Sequence, residues 1–457
     1  MDILIQLGYN IVMLNDTIAA ISTSMIQAGA ISIIRISGSE TFKVLGRIFK
    51  SHTDKYEGYR IYHGYIVDPD DDFKRIDEVL VSTFHAPNSY TGEDLAEINC
   101  HGGLYITRKI LSLCFACGCR QAINGEFTKR AFLNGKMDLT QAEAVNDIIT
   151  AENRDMVRLA VNGLSGNVKK MLDPLMDNVM QIIANIEVNI DYPEYDDVGI
   201  ITANEIKPQV DEWLDKCSKI LSLAENSLVI KEGIKTVIVG KPNVGKSSLL
   251  NALLQEDKAI VTDIAGTTRD LVEGDIHLNN VTLHLIDTAG IHDTDNKIEK
   301  IGIEKSRQAL NEAQLVIVVI DGSGSLDEED RELLKATEGF NRIVVYNKSD
   351  LVKHDDEISI SAVNGDIEPL IDKINEMFAN TQLALSQPVL TNERQIALMS
   401  QAYASMKAVR QSLIDEVPLD LINEDLENAY RCMKEIIGEY NREDLLDGIF
   451  SRFCVGK

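Results

Sequence analysis

Eight residues, Gly240-Lys241-Pro242-Asn243-Val244-Gly245-Lys246-Ser247, follow the spacing G-x-x-x-x-G-K-[ST]. They sit between a strand-like run, Thr236–Val239, and an apolar helical run, Leu249–Leu254. Glycines at these places let backbone amides wrap phosphate oxygens. Lys246 would reach the β- and γ-phosphates, and the Ser247 hydroxyl would bind Mg²⁺. The nucleotide-binding set on this loop is Asn243, Val244, Gly245, Lys246, Ser247 and Ser248. Asp287-Thr288-Ala289-Gly290 follows the run Thr282–Ile286; Asp287 can hold the Mg²⁺ water shell and the Gly290 amide can meet the γ-phosphate. Asn347-Lys348-Ser349-Asp350 follows Ile343–Tyr346. A carboxylate at Asp350 accepts from the ring N–H and the exocyclic amine of guanine. Adenine lacks that donor pair, so the site selects GTP over ATP. Ser361-Ala362, after Ile358–Ile360, completes the base pocket. Between these motifs, Thr262-Asp263-Ile264-Ala265-Gly266-Thr267-Thr268-Arg269-Asp270 reads as a switch loop, with Thr268 as a second Mg²⁺ ligand beside Ser247.

Hydrolysis needs a group that orients water and positive charge set against the transition state. Many small GTPases place Gln directly after Asp-x-x-Gly; here that residue is Ile291, which can do neither. Two sources of charge stay open: Arg269, or a monovalent cation on Asn243 and carbonyls of the switch loop. For the water, Glu299 opens the run Glu299-Lys300-Ile301-Gly302-Ile303-Glu304. By position alone it reads first as a solvated glutamate at a helix start.

The elements around these residues have a recognisable order. Short apolar strands (Thr236–Val239, Thr282–Ile286, Leu315–Ile320, Ile343–Tyr346, Ile358–Ile360) alternate with helical segments, the pattern of a mostly parallel α/β sheet. On either side, about Gln141 to Leu228 and Glu393 to Gly448 carry helical periodicity, with Ala144, Val145, Ile148 and Ile149 on one face. Pro193 interrupts the first stretch at an acidic loop, Asp191 to Asp197. An α/β domain inserted into a helical domain is the simplest arrangement. Residues 14 to about 120 look mixed α/β, with strands at Ala30–Ser37 and Asp77–Phe84 and turn chemistry at Pro87–Asp94.

The whole chain has 457 residues, enough for about three domains. Its composition, 44% hydrophobic and 26% charged, excludes fibrous and fully disordered classes. The formal net charge of −27 argues against tight non-specific binding to nucleic acid. No apolar run approaches the roughly 18 to 20 residues of a membrane helix, and the N-terminus lacks signal-peptide features. Seven cysteines read as reduced cytosolic thiols. The cluster Cys114-Phe115-Ala116-Cys117-Gly118-Cys119 has no second C-x-x-C, with Cys100 and His101 remote, so no zinc is expected.

The chain resembles the tRNA-modification GTPase MnmE (TrmE) family. The resemblance runs from Asn15 to Lys457. It rests on the nucleotide motifs with Asn243 and on Asn15-Asp16-Thr17-Ile18-Ala19-Ala20, Ile34-Arg35-Ile36-Ser37-Gly38, Tyr90-Thr91-Gly92-Glu93-Asp94 and His101-Gly102-Gly103. Gly125-Glu126-Phe127-Thr128, Arg130 to Lys136, Asp138 to Ala144 and the terminal Phe453-Cys454-Val455-Gly456-Lys457 match as well. The early loop Ser24–Ala30 departs from the family, which usually has a proline and more glycines there, and His292 stands where Arg is common.

What the resemblance implies is an α/β multidomain protein. Residues 14–135 would be an α+β tetrahydrofolate-binding and dimerisation domain, 136–230 and 381–457 the two halves of a discontinuous helical domain, and 231–380 an inserted Ras-like P-loop α/β G domain. Residues 1–13 would be an N-terminal extension. The implied activity is potassium-activated GTP hydrolysis that, with a flavoprotein partner, modifies carbon 5 of the wobble uridine of certain tRNAs. The product is of aminomethyl or carboxymethylaminomethyl type, and its one-carbon unit comes from 5,10-methylenetetrahydrofolate or a related folate. Potassium would sit on Asn243 and on Thr262, Ile264 and Thr267, and Glu299 would activate water. Folate positions carry over to Arg35, Glu97, Lys136 and Lys457. Cys454 matches a proposed catalytic thiol; a packed terminal cysteine is the other reading. Implied partners are a second copy of the chain, an FAD-binding MnmG-type protein in a heterotetramer or larger complex, and tRNA, in the cytoplasm and without a membrane. The competing class is a ribosome-assembly GTPase acting as an RNA-linked switch. That class needs a basic RNA-binding module, whereas these flanks are acidic.

Overall fold

Period-two alternation builds the first sheet. Ile18–Ile21 (β1), Ile31–Ser37 (β2), Phe49–Ser51 (β3), Arg60–Asp68 (β4), Lys74–Phe84 (β5), Leu95–His101 (β6) and Arg120–Gln121 (β7) pair in the order β3-β4-β5-β6-β2-β1-β7. Every ladder is antiparallel except β1 with β7. Ile34 and Ile36 of β2 and Ala96, Ile98 and Cys100 of β6 point to one buried face. The helices Thr41–Ile48 and Leu104–Ala116 close that face with Val44, Leu45, Ile110 and Leu113. Arg35 and Glu97 belong to the opposite face and are direct partners in the β2–β6 register. The strand expected from Asp77 begins at Lys74, because its ladder with β4 continues past a register shift at Ile66/Val67.

The computed structural model describes the chain except residues 1–15, 25–27, 54, 152, 192–201, 256–273, 279–281, 287–309, 311, 355–356, 379–384, 386, 441–442 and 457. The expected extension 1–13 and the acidic loop beyond Asp191 lie outside the described residues. Two compact units are formed: Met1–Ala151, Ala160–Ile201 and Ser412–Lys457 make one, Glu152–Leu159 and Thr202–Gln411 the other.

In the second unit, Ile234–Gly240 (β8), Gly274–His277 (β9), Thr282–Leu285 (β10), Leu315–Asp321 (β11), Arg342–Asn347 (β12) and Ser359–Ile360 (β13) form a sheet of order β13-β12-β11-β8-β10-β9. All pairs are parallel except β9 with β10. Leu315 to Ile320 are buried without a break, as a strand covered on both faces requires. Ile317, Val319 and Val345 pack with Leu249 and Leu253 of the helix Lys246–Gln255 and Leu370 and Ile374 of the helix Glu368–Met377. On the other face, Val316, Val318 and Ile320 meet Leu333 and Leu334 of the helix Glu328–Ala336. β8 has β10 on one side and β11 on the other, so the strand order reverses at its carboxyl end, where α/β sheets place ligands.

The remaining helices among the described residues are Glu126–Leu133, Leu139–Thr150, Arg154–Leu164, Asn167–Asp191, Ala203–Glu232, Glu393–Ile414, Leu419–Ile437 and Glu443–Phe450. In the first unit, Leu419–Ile437 packs along Asn167–Asp191. Ala203–Glu232 and nearly all of Glu393–Ile414 belong to the second unit, with the parallel sheet. Among the described residues no helix is long and apolar enough to cross a membrane. The protein is thus a multidomain α/β chain: an α+β N-terminal part, a helical part, and a P-loop α/β part.

Candidate functional site

The phosphate loop leaves β8 at Gly240, where a side chain has no room: a Cβ would lie 2.5 Å from the Val319 carbonyl oxygen. The chain turns through Asn243 (φ 61) and Gly245 (φ 99) before the helix begins at Lys246. Asparagine tolerates such left-handed backbone, and glycine takes it without strain. A Cβ on Gly245 would stand 2.1 Å from Asn347 Nδ2, so the phosphate loop and the base loop touch. Asn347, only 2% exposed at the end of β12, joins three segments. Its Nδ2 donates to the Val244 carbonyl at 2.8 Å, and its Oδ1 accepts from the Ala362 amide at 3.0 Å.

Lys348 stands at φ 70 and donates Nζ to Asp321 Oδ2 at 2.6 Å. Burial would push the Asp321 carboxyl up, but hydrogen bonds from Lys348 and Ser323 hold it at about 2. The exposed Asp350 accepts from Ser361 Oγ at 2.7 Å, which fixes the plane of its carboxylate. Lys246 Nζ donates to the carbonyls of Gly240 and Lys241, each at 2.7 Å. Ser247 is exposed and Ser248 half-buried in the first turn of the helix. The residues Asn243 to Ser248, Asn347, Lys348, Asp350, Ser361 and Ala362 therefore form one neighbourhood at the carboxyl edge of the sheet. Thr262 to Asp270, Asp287 to Ile291, His292 and Glu299 lie outside the described residues. Asp321 was missed in the sequence; its signal is an acid closing the apolar run Leu315–Ile320.

A second cluster lies in the first unit. Arg35 Nε and Nη2 donate to Glu97 Oε1 at 3.0 and 2.8 Å. Arg35 Nη1 and Ser22 Oγ both donate to the Gly456 carbonyl, at 3.2 and 3.0 Å. Gly456 has φ 93, and a Cβ there would lie 2.4 Å from the Ile21 carbonyl oxygen. The Arg35 guanidinium also stands 5.3 Å from the Tyr90 ring centre and 5.5 Å from that of Phe127. The exposed Cys454 accepts at its carbonyl from the Gly125 amide, 3.3 Å away. Behind it, Phe450 and Phe453 pack on Leu139 and Ala142. The tail is therefore anchored, and Arg35, Glu97 and the tail meet. Lys136 instead donates to the Pro87 carbonyl at 3.0 Å, at the start of the loop that carries Tyr90. Lys457 lies outside the described residues.

Sequence reading also missed a buried ionic network beneath that loop. Arg130, with a side chain 3% exposed, donates to Asp16 Oδ1 at 2.5 Å, Glu93 Oε1 at 3.1 Å and Glu126 Oε1 at 3.0 Å. Arg120 adds bonds to Asp16 at 2.6 Å and Glu126 at 2.5 Å. Burial raises both Asp16 and Glu126, but the two guanidinium groups outweigh it and hold each carboxyl below its ordinary value. Ser37 Oγ donates to Glu93 Oε2 at 2.7 Å, which ties β2 to the same network. The cysteine run behaves differently: burial pushes the Cys114 thiol well up and Cys119 to about 12. Among the described residues no group of three or more His, Cys, Asp or Glu could hold a metal ion.

A doubly wound sheet with a glycine loop at its switch point and an Asn-Lys-x-Asp base loop bridged to it defines a phosphate-loop guanine-nucleotide-binding module. Comparison with known proteins narrows the class. A family model described as "GTP-binding protein TrmE N-terminus" matches residues 17–136, and one described as "MnmE helical domain" matches residues 139–454. The chain is 45% identical to the tRNA modification GTPase MnmE of Lactiplantibacillus plantarum, over 97% of this chain and 98% of that protein. It is 44% identical to that of Streptococcus pneumoniae, over 97% and 99%. Among solved structures, Aquifex aeolicus Era bound to GDP.AlF4- is 25% identical over 38% of this chain and 66% of that one, with a TM-score of 0.25. The chain belongs to the MnmE family of tRNA modification GTPases.

Proposed function

We propose that this tRNA modification GTPase hydrolyses GTP in a potassium-activated site, and that this hydrolysis serves modification at carbon 5 of the wobble uridine of certain tRNAs. The observation that carries the nucleotide half is the Asn347 bridge from Val244 to Ala362, which sets the base loop beside the phosphate loop. The Asp350 carboxylate, held by Ser361, accepts the guanine N–H pair. Lys246 exchanges its two carbonyls for the β- and γ-phosphates. Ser247 and Thr268 suit Mg²⁺, with Asp287 on its water shell. Asn243, at the tip of the loop, suits K⁺ together with backbone oxygens of Thr262, Ile264 and Thr267. Asp263, Ala265, Gly266, Thr288, Ala289 and Gly290 complete the nucleotide set, and Glu299 orients the water.

The anchored tail supports the second half. Arg35, Glu97, Lys136 and Lys457 would bind a tetrahydrofolate, with the Cys454 thiol close by. Since Arg35 already donates to Glu97 and Gly456, a folate carboxylate would share or replace those bonds. On this reading the domains are 14–135, 136–230 with 381–457, and 231–380. The protein works in the cytoplasm as a homodimer with an FAD-binding MnmG-type partner, which supplies positive surface for tRNA to a chain of net charge −27. The experiment is GTP turnover in K⁺ against Na⁺. Turnover should rise in K⁺ and stay low in Na⁺, and Asn243→Ala should abolish the difference. A flat potassium response, with activity lost in Arg269→Ala, would assign the charge to the arginine instead.

A further inference from the structure

The side chain of Lys241, the second residue of the phosphate loop, turns away from the nucleotide neighbourhood. It ends on the N-terminus of the helix Glu328–Ala336. Lys241 Nζ donates to Asp327 Oδ2, and to Asp330 Oδ2 at 2.9 Å. Those two carboxylates are also the helix's capping box: Asp327 accepts from the Asp330 amide at 3.0 Å, and Asp330 from the Asp327 amide at 3.2 Å. Asp330 has a side chain 5% exposed, and its Oδ1 has no hydrogen-bond partner among the described residues. Without Lys241 this buried carboxylate would keep a single amide donor, an expensive state. The cap therefore holds the lysine as firmly as the lysine holds the cap. The backbone oxygens of Gly240 and Lys241 are the acceptors of Lys246 Nζ, so whatever fixes Lys241 also fixes the resting place of the phosphate-binding lysine.

We infer that Lys241 is a positioning residue for nucleotide binding, a strap from the Asp327/Asp330 cap that holds the phosphate loop in its binding-competent shape. The segment Asp321–Asp330 then braces both nucleotide loops. Asp321 holds Lys348 at 2.6 Å, the Gly322 amide donates to the Asn347 carbonyl at 2.8 Å, and Asp327 with Asp330 holds the phosphate loop.

The inference rests on the reading of Gly240–Ser247 as the GTP loop, and its test separates the two. Affinity for a fluorescent GDP and steady-state GTP turnover are measured on the full chain, with a thermal midpoint for each variant. Lys241→Met leaves fewer molecules with a competent loop, so GDP affinity should fall and KM for GTP rise by about tenfold, with kcat changed less than about twofold. Lys241→Arg, which can pair with both carboxylates, should restore affinity to within about twofold of wild type. Asp330→Asn should weaken affinity like Lys241→Met, and the double variant should be no weaker than either single one. Wild-type affinity in Lys241→Met, an equal loss in Lys241→Arg, or additive losses in the double variant would overturn the strap. Failure of the wild-type protein to bind GDP or GTP would instead overturn the reading of the loop.

Discussion

Adding one methyl group at Gly456 tests whether the chain's far end is part of a working site. The residue sits at φ 93, where an L side chain costs about 1–2 kcal/mol. Its Cβ would meet three backbone atoms, the Ile21 carbonyl oxygen at 2.4 Å, Ser22 Cα at 2.9 Å and the Ile21 carbonyl carbon at 3.0 Å, so no rotamer change relieves the contact. The Gly456 carbonyl must retreat from both donors. The neutral bond from Ser22 contributes about 1 kcal/mol and the charged one from Arg35 about 1.5–3 kcal/mol. Together these shift tail docking by about 3.5–6 kcal/mol, or about 300-fold to 20,000-fold. Gly456→Ala should therefore release the tail while the parallel sheet, in the other compact unit, stays intact. Carboxypeptidase release of the last residues, amide exchange at Gly125 and calorimetric binding of a tetrahydrofolate read the docking directly. Faster release, faster exchange and weakened folate binding are expected, with GTP turnover near wild type. Undiminished folate binding by a released tail would refute the folate-tail assignment, and an undisturbed tail would refute the steric reasoning.

Asp350→Asn should weaken GTP and gain xanthosine triphosphate, since the amide can donate to the 2-oxo group; competition binding with the two nucleotides measures it. Glu299→Ala should keep nucleotide affinity and lose most single-turnover hydrolysis, because its role is to orient water. The ionic network gives a pH dependence. Asp16 and Glu126 titrate below their ordinary 3.8 and 4.5 in the folded chain, so the unfolded chain takes up protons first as pH falls. Their contribution should be complete above about pH 5 and be lost as pH falls through about 4 and below, seen as a falling urea midpoint for the N-terminal unit. Arg130→Met takes the paired cation from Glu93 and leaves Asp16 and Glu126 with Arg120 alone, and should cost about 3–5 kcal/mol at neutral pH in the same titration.

How much of this was legible in the sequence depended on chain distance. The phosphate loop, base loop and their strands could be read because glycine spacing and apolar runs are local: β11 and β12 each begin and end within one residue of expectation. β9 was not legible, being only the four residues Gly274 to His277, of which Ile276 alone is an apolar side chain. The Arg130 network joins residues up to 114 positions apart, and the Arg35–Gly456 bond spans 421. No periodicity encodes such pairings. The motif segments that carry the family resemblance held Asp16, Glu93, Glu126 and Arg130 all along, but as separate runs without a stated reason to meet. The Lys241 strap was hidden in the same way, because its two carboxylates lie 86 and 89 positions further along the chain.

The central claim is that this GTPase acts on the wobble uridine. Mass spectrometry of wobble nucleosides, in tRNA from a strain lacking the protein and from the same strain carrying it, tests that claim most directly. Loss of the carbon-5 modification without the protein, its return with the wild-type chain, and its failure to return with the Gly456→Ala chain are predicted. An unchanged set of wobble nucleosides in the deletion strain would contradict the claim and favour the ribosome-assembly class.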